Sequence, residues 1–350
     1  MPRTIILAAL LLSAGSAIAQ DRTGLIVGTA NASRGQKATG VIAVPAGVDA
    51  ALNIPVVVMN GAMPGKTLAL VAGAHGTEYA SIIALEKLIG RLNPQQMVGK
   101  VIIVPVVNIN SFEQKVAHIN PVDGKNMNRT YPGKMDGTQS ERAAYLITKE
   151  VVEKCDHLID FHGGDIDESL RPYSYWTRTG RADQDKDSLA LARAFGLDHI
   201  IISTDRSKDP KDSRYLENTA TTRNKPSITV EAGHAGTVEP EDVEALIEGT
   251  LSVMRHLRMI QGRPAPVEHP VWISKVTSLT SDFSGIFYPL VKRGMYVSQG
   301  LKIGYVTNFY GEVLTDVLSP GSGIVLFVRA VPSLVKGDAL ANIGEVGVNP

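Results

Sequence analysis

The sequence has a single cysteine and no excess of either charge. Cys155 alone cannot form an internal disulfide, and its place in an amphipathic helical pattern with Val151 and Val152 predicts core packing rather than nucleophilic chemistry. Basic and acidic residues number 35 each, so the composition gives no sign of a basic surface for nucleic acid or for an anionic membrane. Neither is therefore expected as a partner.

Long apolar runs are also missing, except for one near the N terminus. That run, Ile5 to Leu12, follows Arg3 and precedes the small-residue site Ala17-Ile18-Ala19, which is the pattern of a secretory signal peptide. It is too short to span a bilayer, and every later apolar run is broken by charge or glycine. We expect residues 1–19 to be removed, leaving a periplasmic or secreted protein that starts near Gln20 and has no membrane span.

Strand-like and helix-like patterns alternate from Ile54 to about Ile260. The strand-like runs are rich in Val and Ile, and the runs between them carry apolar residues three and four apart, as amphipathic helices do. The expected strands are Val56–Met59, Leu68–Ala72, Val101–Val107, His157–Phe161, Ile200–Ser203 and Ser227–Val230, and the expected helices are Ser81–Leu92, Glu141–Lys154, Ser188–Phe195 and Glu241–Met259. This alternation predicts an α/β fold with a mostly parallel mixed sheet flanked by helices.

The pattern changes after the proline-containing segment at residues 263–266. Short β-prone runs separated by glycine and proline turns replace the helical period. They predict a small all-β, barrel-like domain at residues 261–350, after the α/β domain at residues 20–260. Gly285–Gly294 and Pro320–Val325 resemble the two halves of a biotinyl/lipoyl-like barrel. The lysine that such domains modify is not evident, so we expect a structural or gating role.

The stretch from Leu68 to Glu78 has the pattern of a buried strand that ends in a glycine turn and passes into a helix. It places His75 and Glu78 three residues apart at a strand end, where open α/β sheets form their sites. An imidazole and a carboxylate at this spacing can bind one cation, and two histidines with one carboxylate bind the catalytic zinc of carboxypeptidase A. So short a motif also fits a turn whose polar side chains face solvent. A third ligand and a base are needed to decide.

A second strand pattern stops at a histidine in the same way. His162 directly follows His157–Phe161 and precedes two glycines. Asp160 shares a face with His162 by strand alternation and could orient its imidazole from behind. Alone, His162 could equally bond a loop carbonyl. Because His75 and Glu78 already suggest a cation site, the metal interpretation is favoured.

Three further polar residues complete the candidate site. Glu231 ends the β-branched run Ser227–Val230, where a buried charge needs a partner or a function. This favours a general base that deprotonates zinc-bound water over a surface glutamate. Asn128 and Arg129 lie in a loop dense in Asn, Asp, Gly and Pro and offer an amide and a guanidinium fork to a substrate carboxylate. A surface salt bridge is the alternative for Arg129.

Four motifs occur along the chain in the order GAHGTE, NMNRTYPG, DFHGG and TVEAG. In this order, and at roughly these intervals, they resemble the succinylglutamate desuccinylase/aspartoacylase family of the zinc carboxypeptidase superfamily. The resemblance implies that His75, Glu78 and His162 bind one zinc ion per chain. It further implies Glu231 as general base and acid, with Asn128 and Arg129 at the substrate carboxylate.

His118 marks a departure from the family pattern. Members of the family often have an arginine shortly before the Asn-Arg pair, which is thought to steady the oxyanion, and this chain has His118 there. Oxyanion stabilisation and the fine choice of substrate are therefore open. His118 is retained as a candidate for the oxyanion or for a supporting role, as is Asp160.

The expected function is hydrolysis of an amide bond in a small N-acyl amino acid by a zinc-dependent deacylase. A metallocarboxypeptidase acting on short or cell-wall peptides would use the same zinc site. A non-catalytic binding protein on the same scaffold is the more distant alternative, and it would be expected to have lost a zinc ligand or the base. The C-terminal β region, by narrowing the entrance, favours small N-acyl amino acids over peptides.

Overall fold

A twelve-stranded mixed sheet lies at the centre of the computed structural model, which describes residues 24–350. The expected signal peptide at residues 1–19 lies outside the described residues. Two short strands, β1 (Leu25–Val27) and β2 (Ala30–Ala32), pair only with each other. The next eight strands belong to the large sheet: β3 (Gln36–Val44), β4 (Leu52–Asn60), β5 (Met63–Ala72), β6 (Val98–Val104), β7 (His157–His162), β8 (Glu168–Thr177), β9 (His199–Ser203) and β10 (Ser227–His234).

Strand pairing is parallel in the middle of this sheet. β7 pairs in parallel with β5 on one side and with β10 on the other, and β5 pairs in parallel with β6. β7 is buried along its whole length, as expected for a strand with both faces covered. Antiparallel pairs follow outwards, β6 with β4 and β4 with β3 on one side and β10 with β8 on the other. The expectation of a mostly parallel sheet is thus right for the middle, whereas its margins make the whole sheet mixed.

Helices cover both faces of the sheet. One face carries α1 (Tyr79–Arg91), α4 (Ala182–Phe195) and α6 (Pro240–His256); the other carries α3 (Gln139–Ile147) and α5 (Leu216–Thr221), and the short helix α2 (Ile109–Gln114) follows β6. Successive strand residues point to opposite faces, so Leu70 lies in the first core and Val71 in the second. Cys155 is buried in the second core, as expected, and burial raises the pKa of its thiol to about 12. So inert a thiol is not a nucleophile.

The strand β8 and the end of α3 differ from the sequence-based expectation. β8 mixes buried with half-buried residues and includes Arg171 and Pro172, so no continuous Val/Ile run marks it. Its place is set by long-range pairing, antiparallel to β10 and parallel to β9. The helix expected over Glu141–Lys154 is α-helical only to Ile147, after which a π-type turn continues to Val152.

The C-terminal region consists of strands, as expected, but half of them complete the large sheet. The strands are β11 (Val271–Thr280), β12 (Gly285–Pro289), β13 (Tyr296–Val297), β14 (Lys302–Thr307), β15 (Val313–Leu318), β16 (Gly323–Arg329), β17 (Ser333–Leu334) and β18 (Ala339–Val346). β11 pairs in parallel with β9, and β18, β16 and β13 follow outwards, with β16 also pairing with β8. The other four strands form a separate sheet in the order β15, β14, β12, β17. The two sheets enclose a partial barrel with its own apolar core.

None of the helices within residues 24–350 is long and apolar enough to cross a membrane.

Candidate active site

The ends of β5 and β7 bring His75, Glu78 and His162 together. The two strands are parallel neighbours, so their carboxyl ends meet at one edge of the sheet. His75 lies in the turn after β5, Glu78 directly precedes α1, and His162 is the last residue of β7. Gly76 makes this turn possible, because an added Cβ would lie 2.2 Å from the backbone nitrogen of Phe112.

The three side chains converge on one point. Nδ1 of His75 lies 2.6 Å from Glu78 Oε1, and Nδ1 of His162 lies 3.0 Å from Glu78 Oε2. One ligand atom of each residue lies within 4.8 Å of the other two. Two imidazole nitrogens and a carboxylate are the donor set that a catalytic zinc site uses, with a remaining position for water or substrate. The group therefore fits a zinc ion by both chemistry and spacing.

The group carries a buried negative charge on Glu78, which the two imidazoles balance. Burial alone would raise the pKa of Glu78, but the charges of His162 and His75 and their hydrogen bonds lower it to about 2. Burial disfavours the imidazolium of His162, yet the charges of Glu78 and Asp160 hold its pKa well above the ordinary value. Glu78 is thus ionised although it is buried, and a buried negative charge needs a positive charge beside it.

The Nε2 atoms of His75 and His162 also have polar neighbours. His75 Nε2 lies 3.1 Å from Asn126 Oδ1. His162 Nε2 lies 2.9 Å from Asn128 Nδ2 and 3.3 Å from Asp160 Oδ1. The Asn128 amide donates to His162 Nε2, whereas the Asp160 carboxylate, which makes no hydrogen bond within residues 24–350, favours a proton on the same nitrogen, so these partners orient the ring without fixing its tautomer. Asp160 is therefore placed where the alternation along β7 predicted it.

Glu231 stands beside His162 in the sheet. The two residues are register partners of the parallel pair formed by β10 and β7, so their side chains lie on the same face. No residue in the described part of the chain hydrogen-bonds the Glu231 carboxyl. Burial raises its pKa well above the ordinary value; His162 opposes this rise, whereas Glu78 and Glu168 add to it. Glu231 therefore holds a proton more firmly than an ordinary glutamate does, beside the candidate metal site.

A cavity of about 250 Å³ surrounds these groups. Its walls combine the predicted residues with aromatic side chains of β8 and with residues of the C-terminal strands. The lining is His75, Glu78, His118, Asn126, Asn128, Arg129, His162, Glu168, Leu170, Tyr173, Tyr175, Arg206, Tyr215, Glu217, Thr229, Glu231, Phe327 and Asn342. All candidate site residues except Asp160, which lies behind His162, therefore face one space.

Arg129 lies in this wall without an ion pair to any described residue, but Asn128 does not offer a free amide. The Arg129 guanidinium lies 4.6 Å from the centre of the Tyr215 ring, and its Nη1 donates to the Asn128 carbonyl oxygen over 2.7 Å. The Asn128 side chain contacts His162 and accepts a hydrogen bond from the Leu216 backbone N–H at 2.9 Å. In this arrangement Asn128 contacts His162, and Arg129 and Arg206 are the two cavity arginines that a carboxylate could reach.

His118 is engaged by carboxylates on both sides of its ring. Nε2 lies 2.8 Å from Asp167 Oδ1, and Nδ1 lies 3.1 Å from Asp165 Oδ2. Burial disfavours its charged form, but the hydrogen bond with Asp167 and the charge of Asp165 raise the pKa to about 9. His118 is thus a cation near the site, although neither of its ring N–H groups is free to donate to an oxyanion.

Comparison with known proteins places this geometry in a family. The catalytic domain described as succinylglutamate desuccinylase/aspartoacylase matches residues 64–257. The N-α-acetyl-L-2,4-diaminobutyric acid deacetylase of Halomonas elongata is 30% identical over 303 residues, which cover 85% of this chain and 86% of that protein. This chain belongs to the succinylglutamate desuccinylase/aspartoacylase family. The resemblance carried by the four sequence motifs is confirmed.

Solved structures show that the fold of this family member extends over nearly the whole chain. A succinylglutamate desuccinylase from Silicibacter sp. TM1040 has a TM-score of 0.80 at 23% identity and covers 95% of this chain and 98% of its own. A succinylglutamate desuccinylase/aspartoacylase from Rhodobacter sphaeroides has a TM-score of 0.79 at 26% identity, with coverages of 94% and 97%. Family membership and the deacetylase relative together support hydrolysis of an amide bond.

Several cavity residues of this family member were not predicted from the sequence. Arg206 and Tyr215 come from the segment between β9 and α5, with the Arg206 guanidinium 4.1 Å from the centre of the Tyr215 ring. Glu217 comes from the first turn of α5. Phe327 and Asn342 come from β16 and β18. The spacing of Tyr173 and Tyr175 at a period of two is a local signal that could have identified β8 and its cavity face.

Proposed function

We propose that this protein is a zinc-dependent deacylase that hydrolyses the amide bond of a small N-acyl amino acid. The single observation that carries the proposal is the convergence of His75, Glu78 and His162 beside Glu231 in one small cavity. The Halomonas elongata relative, named for the deacetylation of an N-acetylated amino acid, supports the same class of substrate.

In this proposal, His75, Glu78 and His162 hold the zinc ion. When bound, zinc would polarise the scissile carbonyl, lower the pKa of water and draw the pKa of Glu231 down towards the ionised form. Glu231 accepts a proton from the attacking water and later delivers it to the leaving amine nitrogen. It can do so because its carboxyl shares a face with His162 and makes no hydrogen bond to the described residues that would have to be broken first.

Arg129 sets the position of the substrate. Its guanidinium fork can accept a carboxylate in a bidentate manner, which fixes both the distance and the plane of the bound group. Contact with the Tyr215 ring at 4.6 Å limits the motion of this side chain. Asp160 and Asn128 keep the His162 ring in its orientation, so they act on the reaction through His162 alone.

Export through a signal peptide is part of the proposal. Arg3, the apolar run Ile5 to Leu12 and the small-residue site before Gln20 support it. Expression of the full chain in a Gram-negative host, followed by N-terminal sequencing of the protein in the periplasmic fraction, tests it. The expected first residue is Gln20, and an intact Met1 in the cytoplasmic fraction would contradict export.

The catalytic proposal is tested by assaying the zinc-loaded and the chelator-treated protein side by side. The substrates are N-acetyl and N-succinyl amino acids, the same compounds amidated at the carboxylate, and short peptides. We expect turnover of N-acyl amino acids with a free carboxylate, lost on chelation and regained with zinc. Preferential cleavage of peptides would show that the protein is a carboxypeptidase and not a deacylase. Turnover that chelation does not change would show that zinc takes no part in the reaction.

A matched metal analysis assigns the zinc ligands. We expect the His162→Ala variant to lose most of its zinc, because three protein ligands are the minimum of a catalytic site. His234→Ala is the control, since His234 belongs to the same strand as Glu231 but lies outside the cavity lining. Equal zinc content in the wild type and in the His162→Ala variant would refute the assignment of His162 as a zinc ligand.

A further inference from the structure

A second cavity, of about 180 Å³, opens where the parallel strands β8 and β9 end. Thr177 is the last residue of β8 and Ser203 the last of β9, and the two are register partners. The carboxyl ends of neighbouring parallel strands are where open α/β sheets form binding crevices. Of the described residues, only Arg206 lines this cavity as well as the active-site cavity.

The walls of this second cavity are basic. Four positively charged side chains line it together with hydroxyl and amide side chains, and no described aspartate or glutamate does; the four are Arg178, Arg181, Arg206 and Lys208. Within residues 24–350, none of them forms an ion pair. Like charges around so small a space repel one another, and a concave site lined by one sign of charge attracts the opposite sign. The cavity therefore favours an anion.

Two carboxyl groups near the cavity are engaged with other groups. Asp185 accepts hydrogen bonds from the Thr179 backbone N–H at 2.8 Å and from the Thr179 hydroxyl at 2.6 Å. Glu217 accepts one from Thr177 Oγ1 at 3.1 Å and lines the active-site cavity. The charge of Arg206 opposes the rise in the pKa of Glu217 that burial causes, yet the two side chains form no ion pair within the described residues. The positive charge of the walls is thus not matched by any ion pair there.

The guanidinium groups of this cavity are positioned but keep unused donors. Arg181 Nη2 donates to the backbone carbonyl oxygen of Thr221. The Arg178 guanidinium lies 5.7 Å from the centre of the Trp176 ring, and the Arg206 Nε is buried without a hydrogen-bond partner among residues 24–350. Each guanidinium has five N–H donors, so these contacts leave several for a ligand.

Size and donor type narrow the ligand to a small oxyanion. The volume of about 180 Å³ is below the range of about 300–1,000 Å³ that is usual for sites of drug-sized molecules. A guanidinium fork matches two oxygens of a phosphate or a sulfate, and a lysine adds a point charge. A tetrahedral oxyanion directs its oxygens to several walls at once, which suits donors that come from three segments of the chain.

We propose that Arg178, Arg181 and Lys208 bind a tetrahedral oxyanion, phosphate or sulfate, in this second cavity. Arg206, which lines both cavities, supplies a further donor. The site is independent of the proposed deacylase function, because neither the candidate zinc ligands nor Glu231 line it.

Isothermal titration of the zinc-loaded protein with sodium sulfate and with sodium phosphate, at an ionic strength held constant with sodium chloride, tests the site. We expect binding to the wild type and an affinity about 10- to 100-fold weaker in the Arg178→Gln/Lys208→Gln double variant, since charged hydrogen bonds are removed. An anion held by zinc or Arg129 would instead keep its affinity in the double variant and lose it in the Arg129→Gln variant. That result, or no binding to the wild type, would overturn the proposal.

The matched control is the Lys87→Gln/Arg263→Gln double variant. Both side chains are exposed, form no ion pair within the described residues and line neither cavity. This variant loses the same net charge, so a general effect of charge would weaken binding equally in both double variants, which would refute a specific site. Lys208→Gln alone covers the case in which the first double variant does not fold. Lys208 is exposed and makes no hydrogen bond within residues 24–350, and we expect its single variant to bind sulfate about 3- to 10-fold more weakly; unchanged affinity would count against the site.

Discussion

Replacing Glu231 by glutamine separates the role of this carboxylate from that of Glu78. Glutamine has nearly the same shape, and no described residue hydrogen-bonds the Glu231 carboxyl, so the substitution breaks no hydrogen bond within residues 24–350. It also removes a group whose charged form is disfavoured by burial and by the charge of Glu78. We therefore expect the free energy of unfolding of the metal-free variant to be equal to or higher than that of the wild type.

The expected loss is catalytic. An amide cannot accept the proton of the attacking water, and general base catalysis is typically worth about 10²–10⁴-fold. We expect kcat/KM of the Glu231→Gln variant to fall by about this factor. Its zinc content should stay near that of the wild type, because His75, Glu78 and His162 remain in place.

Glu78→Gln is the matched comparison, because it makes the same chemical change elsewhere in the site. Glu78 has one oxygen 2.6 Å from His75 and the other 3.0 Å from His162. Neutralising it removes the charge between the two imidazoles, so zinc content and turnover should fall together. The assay is elemental analysis beside turnover for both variants. Loss of metal by the Glu231→Gln variant, or near-normal turnover, would refute the assigned roles.

Three further outcomes are expected. Arg129→Lys should lower kcat/KM by about 10- to 100-fold for substrates with a free carboxylate and less for their amides, because lysine keeps the charge but loses the fork; equal losses would remove Arg129 as the anchor. The pKa of His118 is raised to about 9 through Asp167 and Asp165 despite burial, so its contribution to stability is complete below about pH 6.5 and is lost as the pH rises through about 9. Denaturation of the chelator-treated wild type and of the His118→Asn variant should accordingly differ most at the lower pH. Phe161→Ala should cost about 3–5 kcal/mol in chemical denaturation, since Phe161 is 0% exposed and packs on Phe195.

The zinc-site candidates could be predicted because each has a strong local signal. His75 and His162 both follow apolar runs, and such runs become buried parallel strands whose carboxyl ends meet at one edge. The sequence does not say that β5 and β7 are neighbours, since Val71 and its register partner Asp160 are far apart in the chain. The prediction that His75 and His162 lie together came instead from the order of the four family motifs.

The far wall of the cavity had no such signal. Asn342 and Phe327 reach the site because β16 pairs with β8, and β11 with β9. An all-β region can be recognised from its turns. Its sequence does not tell which other strands it will pair with, because that pairing depends on the whole fold. The same holds for Arg206, whose segment between β9 and α5 carries no periodic pattern.

Three glutamates of one cavity show why residue type alone could not assign their roles. Two imidazoles beside Glu78 overcome burial and lower its pKa to about 2, so it is suited to hold a cation. Burial dominates at Glu231 and raises its pKa well above the ordinary value, which suits a proton acceptor once a cation is near. Glu217 lies between these extremes, because burial raises its pKa to about 7 although Arg206 and Thr177 oppose the rise. The same carboxyl group is thus suited to hold a cation or to carry a proton according to which charges the fold places beside it.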